Sequence, residues 1–220
     1  MEFVACDMAC SVFGNPITDE TLKGLPEYEG RAITRSDRAH VARNMKNAAN
    51  KDVNARQYVE NLKKEWGDGV STLCLVYNAT GDTVEFITYH DYNGHVGQAP
   101  YPMHIANGQW AGFLHGKTSA EPSGSTGTVV YRGKNQHNQG CDWMLAWFNP
   151  GNRKSFNNKV YTEIREAGHY DGGKYWDYIY GLIDKSGITK KDVWGGCLSY
   201  VSTGSSTTAI FEAIMTLENA

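Results

Sequence analysis

The chain has 220 residues, of which 40% are apolar, 12% aromatic and 20% charged, and 24 are glycine. This composition is typical of a globular protein with short strands and many turns, and it argues against a disordered chain. The net charge of −3 offers no cationic surface for nucleic acid or for an anionic membrane. One β-rich domain with an appendage fits this length.

The first 69 residues are expected to form an N-terminal extension followed by a helical pair. Residues 1–13 lack the basic start and apolar core of a secretory signal, and no apolar run is long enough to span a bilayer. The sequence therefore predicts a cytoplasmic protein that does not insert into membranes. Ser36 and Asp37 are suited to cap one helix through Asn47, and Asp52 a second helix that ends at Gly67.

Residues 70–220 are expected to form a β-sandwich packed with the helices as one globular unit. Leu73 to Val130 is predicted to contain four strands, the first two joined as a hairpin through Thr80-Gly81-Asp82. Four more strand-like runs follow at residues 142–148, 160–165, 175–183 and 209–217. The prediction is a mainly β protein, a sandwich of antiparallel strands with a two-helix N-terminal appendage. Trp143, Leu145 and Trp147 should share one buried face.

The cysteines indicate neither a metal site nor a disulfide framework. There are five, at Cys6, Cys10, Cys74, Cys141 and Cys197, and none forms a CxxC pair. An odd number in a cytosolic protein favours reduced thiols. Cys6 and Cys10 could cross-link under oxidation, and Cys74 is expected in the core. No cofactor is predicted.

A tyrosine- and histidine-rich stretch is the candidate ligand site. It is interpreted as a loop after the second strand, with aromatic rings able to stack on a sugar face or a headgroup. Trp110 begins a later strand and is expected to be partly exposed toward the same ligand. The candidate ligand-binding residues are Tyr89, His90, Asp91, Tyr92, His95, Tyr101 and Trp110.

A second group of polar residues supports a competing enzyme hypothesis. Glu163 and Arg165 should share one strand face with Tyr161, so an ion pair along the strand is expected. In the enzyme hypothesis His169 is a general base oriented by a carboxylate. The candidate catalytic residues are Glu163, Glu166, His169 and Asp171. Motifs for a nucleophilic serine or a phosphate-binding loop are absent.

Seven segments resemble, in chain order, the smaller class of plant jasmonate-induced proteins. They are KDVNARQYVENLKKEWGDG, CLVYNATGDTVEF, YPMHIANGQWAGFLH, VVYRGK, CDWMLAW, VYTEIREAGHY and WDYIY. The order of elements also resembles the β-sandwich of fungal fruit-body lectins and sea-anemone cytolysins. The first resemblance implies a stress- and defence-associated plant protein, and the second a sandwich whose end loops hold a sugar or a lipid headgroup. Pro16 and Pro26 interrupt the amphipathic N-terminal segment that a cytolysin needs.

Three functions follow from these observations. The first is a non-enzymatic jasmonate-induced defence protein that binds a glycan, a lipid headgroup or another small polar ligand through the aromatic loop. The second is an enzyme that acts on a specialised plant metabolite by acid–base chemistry in an aromatic pocket. The third is a protein-interaction module built on the helices. A homodimer is possible through strand edges at Thr128–Tyr131 or Ala209–Leu217.

Overall fold

Two β-sheets stack face to face, and helices cover the outer face of each sheet. The computed structural model describes residues 11–119, 121 and 123–220. The predicted mainly β sandwich with N-terminal helices is confirmed. The cross-link suggested for Cys6 and Cys10 lies outside the described residues.

The strands and helices follow one another with short connections. In chain order they are β1 Val12–Phe13, α1 Asp19–Lys23, α2 Arg35–Asn44, α3 Lys51–Trp66, β2 Ser71–Ala79, β3 Val84–Asn93, β4 His95–Val96, β5 His104–Ile105, β6 Trp110–Gly116, β7 Ser125–Lys134, β8 Gly140–Asn149, β9 Lys159–Glu166, α4 Trp176–Asp184, β10 Thr189–Trp194, β11 Cys197–Thr203 and β12 Thr208–Leu217. Short 3-10 turns precede α2 and α3. Over the described ranges, no helix has the length and apolarity needed to cross a bilayer.

The first sheet has the order β1-β6-β2-β12-β11-β10, with β4 also paired to β6, and the second has the order β5-β3-β7-β8-β9. The pair β12 and β2 is parallel, and the other pairs are antiparallel. The predicted hairpin of β2 and β3 is wrong, because these strands lie in different sheets. The turn through Gly81 carries the chain across the sandwich, and residue alternation is the same whether consecutive strands pair or cross.

The two strand edges proposed for a dimer are not edges. Thr128–Tyr131 belongs to β7, which pairs with β3 on one side and β8 on the other. Ala209–Leu217 belongs to β12, which lies between β2 and β11. Their backbone groups are already used within the sheets, so neither strand can pair with a second chain.

The space between the sheets is filled by large apolar side chains. Trp143, Leu145 and Trp147 of β8 are fully buried there, which confirms that they share one face. Phe113 and Phe211 from the first sheet face them, and Trp147 lies 5.6 Å from Phe211 between ring centres. Cys74 is buried in the same core, as expected.

Helices α2 and α3 cover the outer face of the first sheet. Thr34 caps α2 in a reciprocal pair of bonds with Asp37, so the helix begins just before the predicted Ser36. Helix α3 ends at Trp66, and Gly67 follows with a φ of +83°, as its position in the sequence predicts. The apolar side of α3, with Ala55 and Val59, packs on this sheet.

The fourth strand-like run, residues 175–183, is a helix rather than a strand. Helix α4 packs on the outer face of the second sheet, where Ile179 and Ile183 are buried beside Met144. The rings of Trp176, Tyr178 and Tyr180 alternate along this run as in a strand, whereas the two isoleucines are four residues apart as in a helix. A short aromatic run satisfies both periods, so packing decides its structure.

Candidate functional site

The expected aromatic loop is part of a strand, which separates the candidate ligand residues. Tyr89, His90, Asp91 and Tyr92 lie in β3. The first three pair with residues 127–129 of β7, and Tyr92 lies at a register shift between Asp91 and Asn93. Because successive side chains of a strand point to opposite faces, Tyr89 and Asp91 are separated from His90 and Tyr92. The expected single site is therefore divided between the two faces of the second sheet.

On the inner side of β3, Tyr101 joins Tyr89 and Asp91. Its ring centre lies 5.1 Å from that of Tyr89 and 5.5 Å from that of Phe86, on which it stacks. Tyr101 is only 5% exposed, and its hydroxyl donates to Asp91 Oδ1 at 3.4 Å. Burial raises the pKa of Tyr101 well above its ordinary value, so this hydroxyl stays protonated.

Asp91 also contacts a buried histidine that the sequence analysis did not select. His115 Nε2 lies 3.2 Å from Asp91 Oδ1, and its Nδ1 lies 2.9 Å from Ser125 Oγ. Burial lowers the pKa of His115 below its usual value. An aspartate, a histidine and a serine therefore form a connected chain, which has the composition of a catalytic triad. Ser125 is fully buried and also contacts Thr72 at 2.8 Å, so a substrate has no approach to its hydroxyl.

On the outer side of β3, His90 and Tyr92 meet helix α4. The His90 ring stacks on Trp176 with 5.2 Å between ring centres and 7° between planes. Tyr92 donates its hydroxyl to the Trp176 carbonyl at 2.6 Å, and its ring lies 5.0 Å from that of Tyr180. Burial lowers the pKa of His90 and raises that of Tyr92, so both side chains favour their neutral forms.

These contacts place a group of aromatic side chains on the surface. Tyr178 is 60% exposed, Tyr180 38% and Tyr175 36%. We call this group the α4 aromatic surface, and its members are His90, Tyr92, Tyr175, Trp176, Tyr178 and Tyr180. Stacks of His169 on Tyr175 and of Tyr170 on Trp176 hold the start of α4 in place. Its α4 members are absent from the sequence-based candidates, because residues 175–183 have the alternation of a strand.

Two further candidate ligand residues lie away from both groups. Trp110 is only 2% exposed, donates its indole N–H to the Lys46 carbonyl at 2.9 Å and packs beside Tyr77, so its expected partial exposure is wrong. The helices, which cover this end of β6, explain its burial. His95 lies in β4 beside Trp66, with 5.2 Å between ring centres, at the rim of a cavity of about 590 Å³.

A groove of about 690 Å³ runs between α3 and the chain segment that precedes β5. Its lining is mainly apolar and includes Tyr58, Leu62, Pro100, Tyr101, Pro102 and Met103. Tyr101 thus contributes to this groove as well as to the contacts with Asp91. The groove lies on the edge of the sandwich that carries β5, whereas α4 covers the outer face of the second sheet.

The four candidate catalytic residues do not converge on one pocket. Glu163 is 1% exposed, and its carboxylate accepts hydrogen bonds from Tyr161, Arg165 and Tyr170 at 3.1, 2.7 and 2.8 Å. The predicted ion pair of Glu163 with Arg165 is confirmed.

The other three candidates lie at the end of β9. Glu166 contacts His169 at 3.1 Å, and Asp171 contacts Arg132 at 3.6 Å. No cluster of three or more His, Cys, Asp or Glu side chains that could hold a metal ion occurs among residues 11–119, 121 and 123–220. The pairs Glu166–His169 and Asp171–Arg132 have the geometry of surface ion pairs. The buried Glu163 carboxylate has the contacts of a structural group.

Comparison with known proteins identifies the family. Residues 13–218 match the family model described as Nakanori-like protein. The chain belongs to the Nakanori-like family. The 23 kDa jasmonate-induced protein of Hordeum vulgare is 45% identical over 203 residues, which cover 91% of this chain and 95% of the barley protein. The predicted resemblance to the jasmonate-induced proteins is therefore confirmed.

A solved structure agrees with this assignment over most of the chain. The crystal structure of the lipid binding protein Nakanori superposes with a TM-score of 0.85 and 33% identity, covering 93% of this chain and 98% of Nakanori. The lectin of Xerocomus chrysenteron aligns with a TM-score of 0.39 and 12% identity, over 67% of this chain and 99% of the lectin. The Nakanori-like fold thus includes both the sandwich and its helices.

Proposed function

We propose that this protein is a non-enzymatic, defence-type binding protein that recognises a lipid headgroup through the α4 aromatic surface. The observation that carries the proposal is the exposure of three tyrosines in or next to one short helix. The stack of His90 on Trp176 fixes this helix to β3. Tyrosine and tryptophan combine an apolar ring with a polar end, which suits the boundary between water and lipid. The name of the solved relative, a lipid binding protein, supports a lipid ligand, and the jasmonate-induced relative supports the defence role.

A carboxylate beside the surface favours a headgroup that carries a positive group. Asp177 lies in the first turn of α4, close enough to raise the pKa of Tyr92 and to oppose the lowering of that of His90. A cation is attracted both to this carboxylate and to the faces of neighbouring aromatic rings. The net charge of −3 gives no general attraction to anionic lipid. A zwitterionic headgroup therefore fits better than an anionic one.

A vesicle-binding experiment tests this function. The probes are vesicles of phosphatidylcholine, with and without added phosphatidylserine, and a panel of soluble glycans. We expect the protein to sediment with phosphatidylcholine vesicles, with no gain from phosphatidylserine. Tyr178→Ala and Tyr180→Ala together should weaken this binding by about tenfold or more, since loss of one or two buried aromatic contacts has this magnitude.

Tyr200→Ala is the matched control. Tyr200 is 39% exposed, but it lies in β11 of the opposite sheet. The control should bind vesicles as the wild type does. Equal binding by the α4 variant and the wild type would contradict the assigned surface. Glycan binding without vesicle binding would contradict the lipid proposal and would identify the ligand as a sugar, because a sugar face also stacks on tyrosine.

A further inference from the structure

Two buried cysteines face each other across the sandwich. Cys141 is the second residue of β8 in the second sheet, and Cys197 is the first residue of β11 in the first sheet. Both are fully buried free thiols, and their sulfur atoms lie 4.0 Å apart. Cys74 lies in the same core, but its thiol donates to the Thr72 carbonyl and not to either of these two cysteines.

The separation is short enough for a disulfide to form with small movements. A disulfide has a sulfur–sulfur distance of about 2.05 Å, so each sulfur must move by roughly 1 Å. Rotation about the Cα–Cβ bonds moves the sulfur atoms without moving the backbone. Nothing in the sequence indicates this pair, because the two cysteines are 56 residues apart and lie in strands of different sheets.

Cys197 is the thiol of the pair that ionises more readily. In its neutral form it donates to the Lys134 carbonyl at 3.8 Å, and the Arg35 guanidinium binds the carbonyls of Lys134 and Asn135. The Cys141 thiol and the positive charge of Arg35 lower the pKa of Cys197 against the effect of burial, whereas the neighbouring sulfur and burial raise that of Cys141. The thiolate is the reactive form of cysteine.

The pair lies just beneath the surface at one end of the sandwich. Cys197 follows the turn Gly195–Gly196, and Cys141 follows the exposed connection between β7 and β8. The two loops are joined by a bond from the Gln136 amide to the Gly195 carbonyl at 3.0 Å. A small oxidant that reaches the pair has to pass these two loops.

We propose that Cys141 and Cys197 form a redox modification site, at which a peroxide converts the two thiols into a disulfide that joins the two sheets. The Cys197 thiolate attacks one peroxide oxygen, the O–O bond breaks, and a sulfenic acid and hydroxide form. The Cys141 sulfur then attacks the sulfenic sulfur, the S–S bond forms and the hydroxyl leaves. Protons from the thiols complete the products, which for hydrogen peroxide are one disulfide and two water molecules.

Mass spectrometry of the oxidised protein tests the proposal. The reduced Cys6→Ser/Cys10→Ser variant is treated with hydrogen peroxide, its remaining thiols are alkylated, and the intact mass and the unreduced peptides are measured. We expect a loss of two hydrogen atoms and a cross-linked pair of peptides that contains Cys141 and Cys197. The melting temperature should rise by roughly 5 °C or more, because the bond closes a long loop, and dithiothreitol should reverse this rise.

Controls separate the pair from the lone cysteine. Cys74→Ala in the same background should still lose two hydrogen atoms, whereas Cys197→Ala should not. Because a core substitution can also unfold the protein, the peptide map of the parent variant decides the question by itself. A folded parent variant that keeps all thiols alkylatable after peroxide, or that cross-links Cys74 instead, would overturn the proposal.

Discussion

His115 connects the two sheets through polar contacts inside an apolar core. It belongs to β6 of the first sheet, while its partners Asp91 and Ser125 belong to β3 and β7 of the second. Asp91 raises the pKa of His115, but burial and the nearby His95 lower it, and the net pKa lies below the ordinary value. The folded protein therefore binds this proton less readily than the unfolded chain does.

This difference predicts a pH-dependent stability. As the pH falls below about 6.5, the unfolded chain takes up a proton that folded His115 resists, so the free energy of unfolding decreases. We expect the melting temperature to fall between pH 7 and pH 5, and the fall to be smaller in His115→Gln. Circular dichroism of thermal unfolding at each pH measures the slopes.

Two other histidines provide the comparisons for this prediction. His137→Gln changes an exposed side chain and should keep the wild-type slope. His90→Gln should remove a further part of the slope, because burial also lowers the pKa of His90. A His115→Gln variant with the full wild-type slope would show that His115 does not carry the effect.

Glu163 is expected to stabilise the fold instead of supporting catalysis. Its buried carboxylate accepts three hydrogen bonds, one of them from Arg165. Glu163→Gln removes the charge that Arg165 pairs with and replaces one acceptor oxygen by a donor, so we expect a loss of about 1–3 kcal/mol in the free energy of unfolding. Urea denaturation measures this loss. The exposed Glu166→Gln should change the value by less than about 0.5 kcal/mol, and equal losses in both variants would contradict the argument.

At the scale of elements, the contact of α3 with β6 depends on two glycines. A Cβ atom on Gly112 would lie 2.9 Å from Val59 Cγ1, and one on Gly116 would lie 2.4 Å from Trp66 Cε2. Such distances are shorter than van der Waals contact, so the helix would have to move away. The absence of side chains at these positions allows α3 to lie close to the sheet.

We therefore expect Gly116→Ala to lower the free energy of unfolding by about 1–3 kcal/mol. In a Trp66→Ala background the same substitution should cost much less, because the clash is removed, and urea denaturation of the four proteins gives the coupling. Gly181→Ala in α4 is the matched control. Nothing lies within 4 Å of its Cβ position, so alanine should stabilise this helix by about 0.5–1 kcal/mol. If the losses of unfolding free energy caused by Gly116→Ala and Trp66→Ala simply add, the proposed clash between these two positions is contradicted.

The helices and strands also show which elements the sequence predicts. The caps and apolar stripes of α2 and α3 are local, so their positions follow from the sequence within a few residues. The α4 run has both a strand and a helix period, and the β3 aromatics resemble a loop because of their polar neighbours. The predictions of a strand for the first run and of a loop for the second are therefore wrong. In both cases the structure of the run is decided by the neighbouring elements of the second sheet.

At the scale of the molecule, the helices and the sandwich share one sheet. The side chains of β2 alternate, with Cys74 and Val76 in the core between the sheets and Leu73, Leu75 and Tyr77 under the helices. Loss of either layer exposes one face of this strand. We expect the N-terminal helices and the sandwich to unfold together in one transition, with the same midpoint by far-ultraviolet circular dichroism and by tryptophan fluorescence. An earlier loss of helical signal would show that the helices unfold separately.

The sequence predicts the sandwich but not its connections or its candidate site. Alternation identifies most strands, and the tryptophan face of β8 follows from the same period. Pairing between distant strands is not encoded in any local pattern, so the crossing after β2 and the chain through Asp91, His115 and Ser125 could not be predicted. The exposed tyrosines of α4 are missed for a related reason, since their exposure depends on which face of the run is packed.

The parallel pairing of β12 with β2 has a consequence for the way the chain folds. The last strand, residues 208–217, lies in the middle of its sheet, between one of the earliest strands and β11. The first sheet remains in two separate parts until residues 208–217 have left the ribosome. Contacts between such distant residues slow folding, typically into the range of milliseconds to seconds. Until β12 joins the sheet, β2 has an unpaired edge, and the growing chain is at its most vulnerable to aggregation.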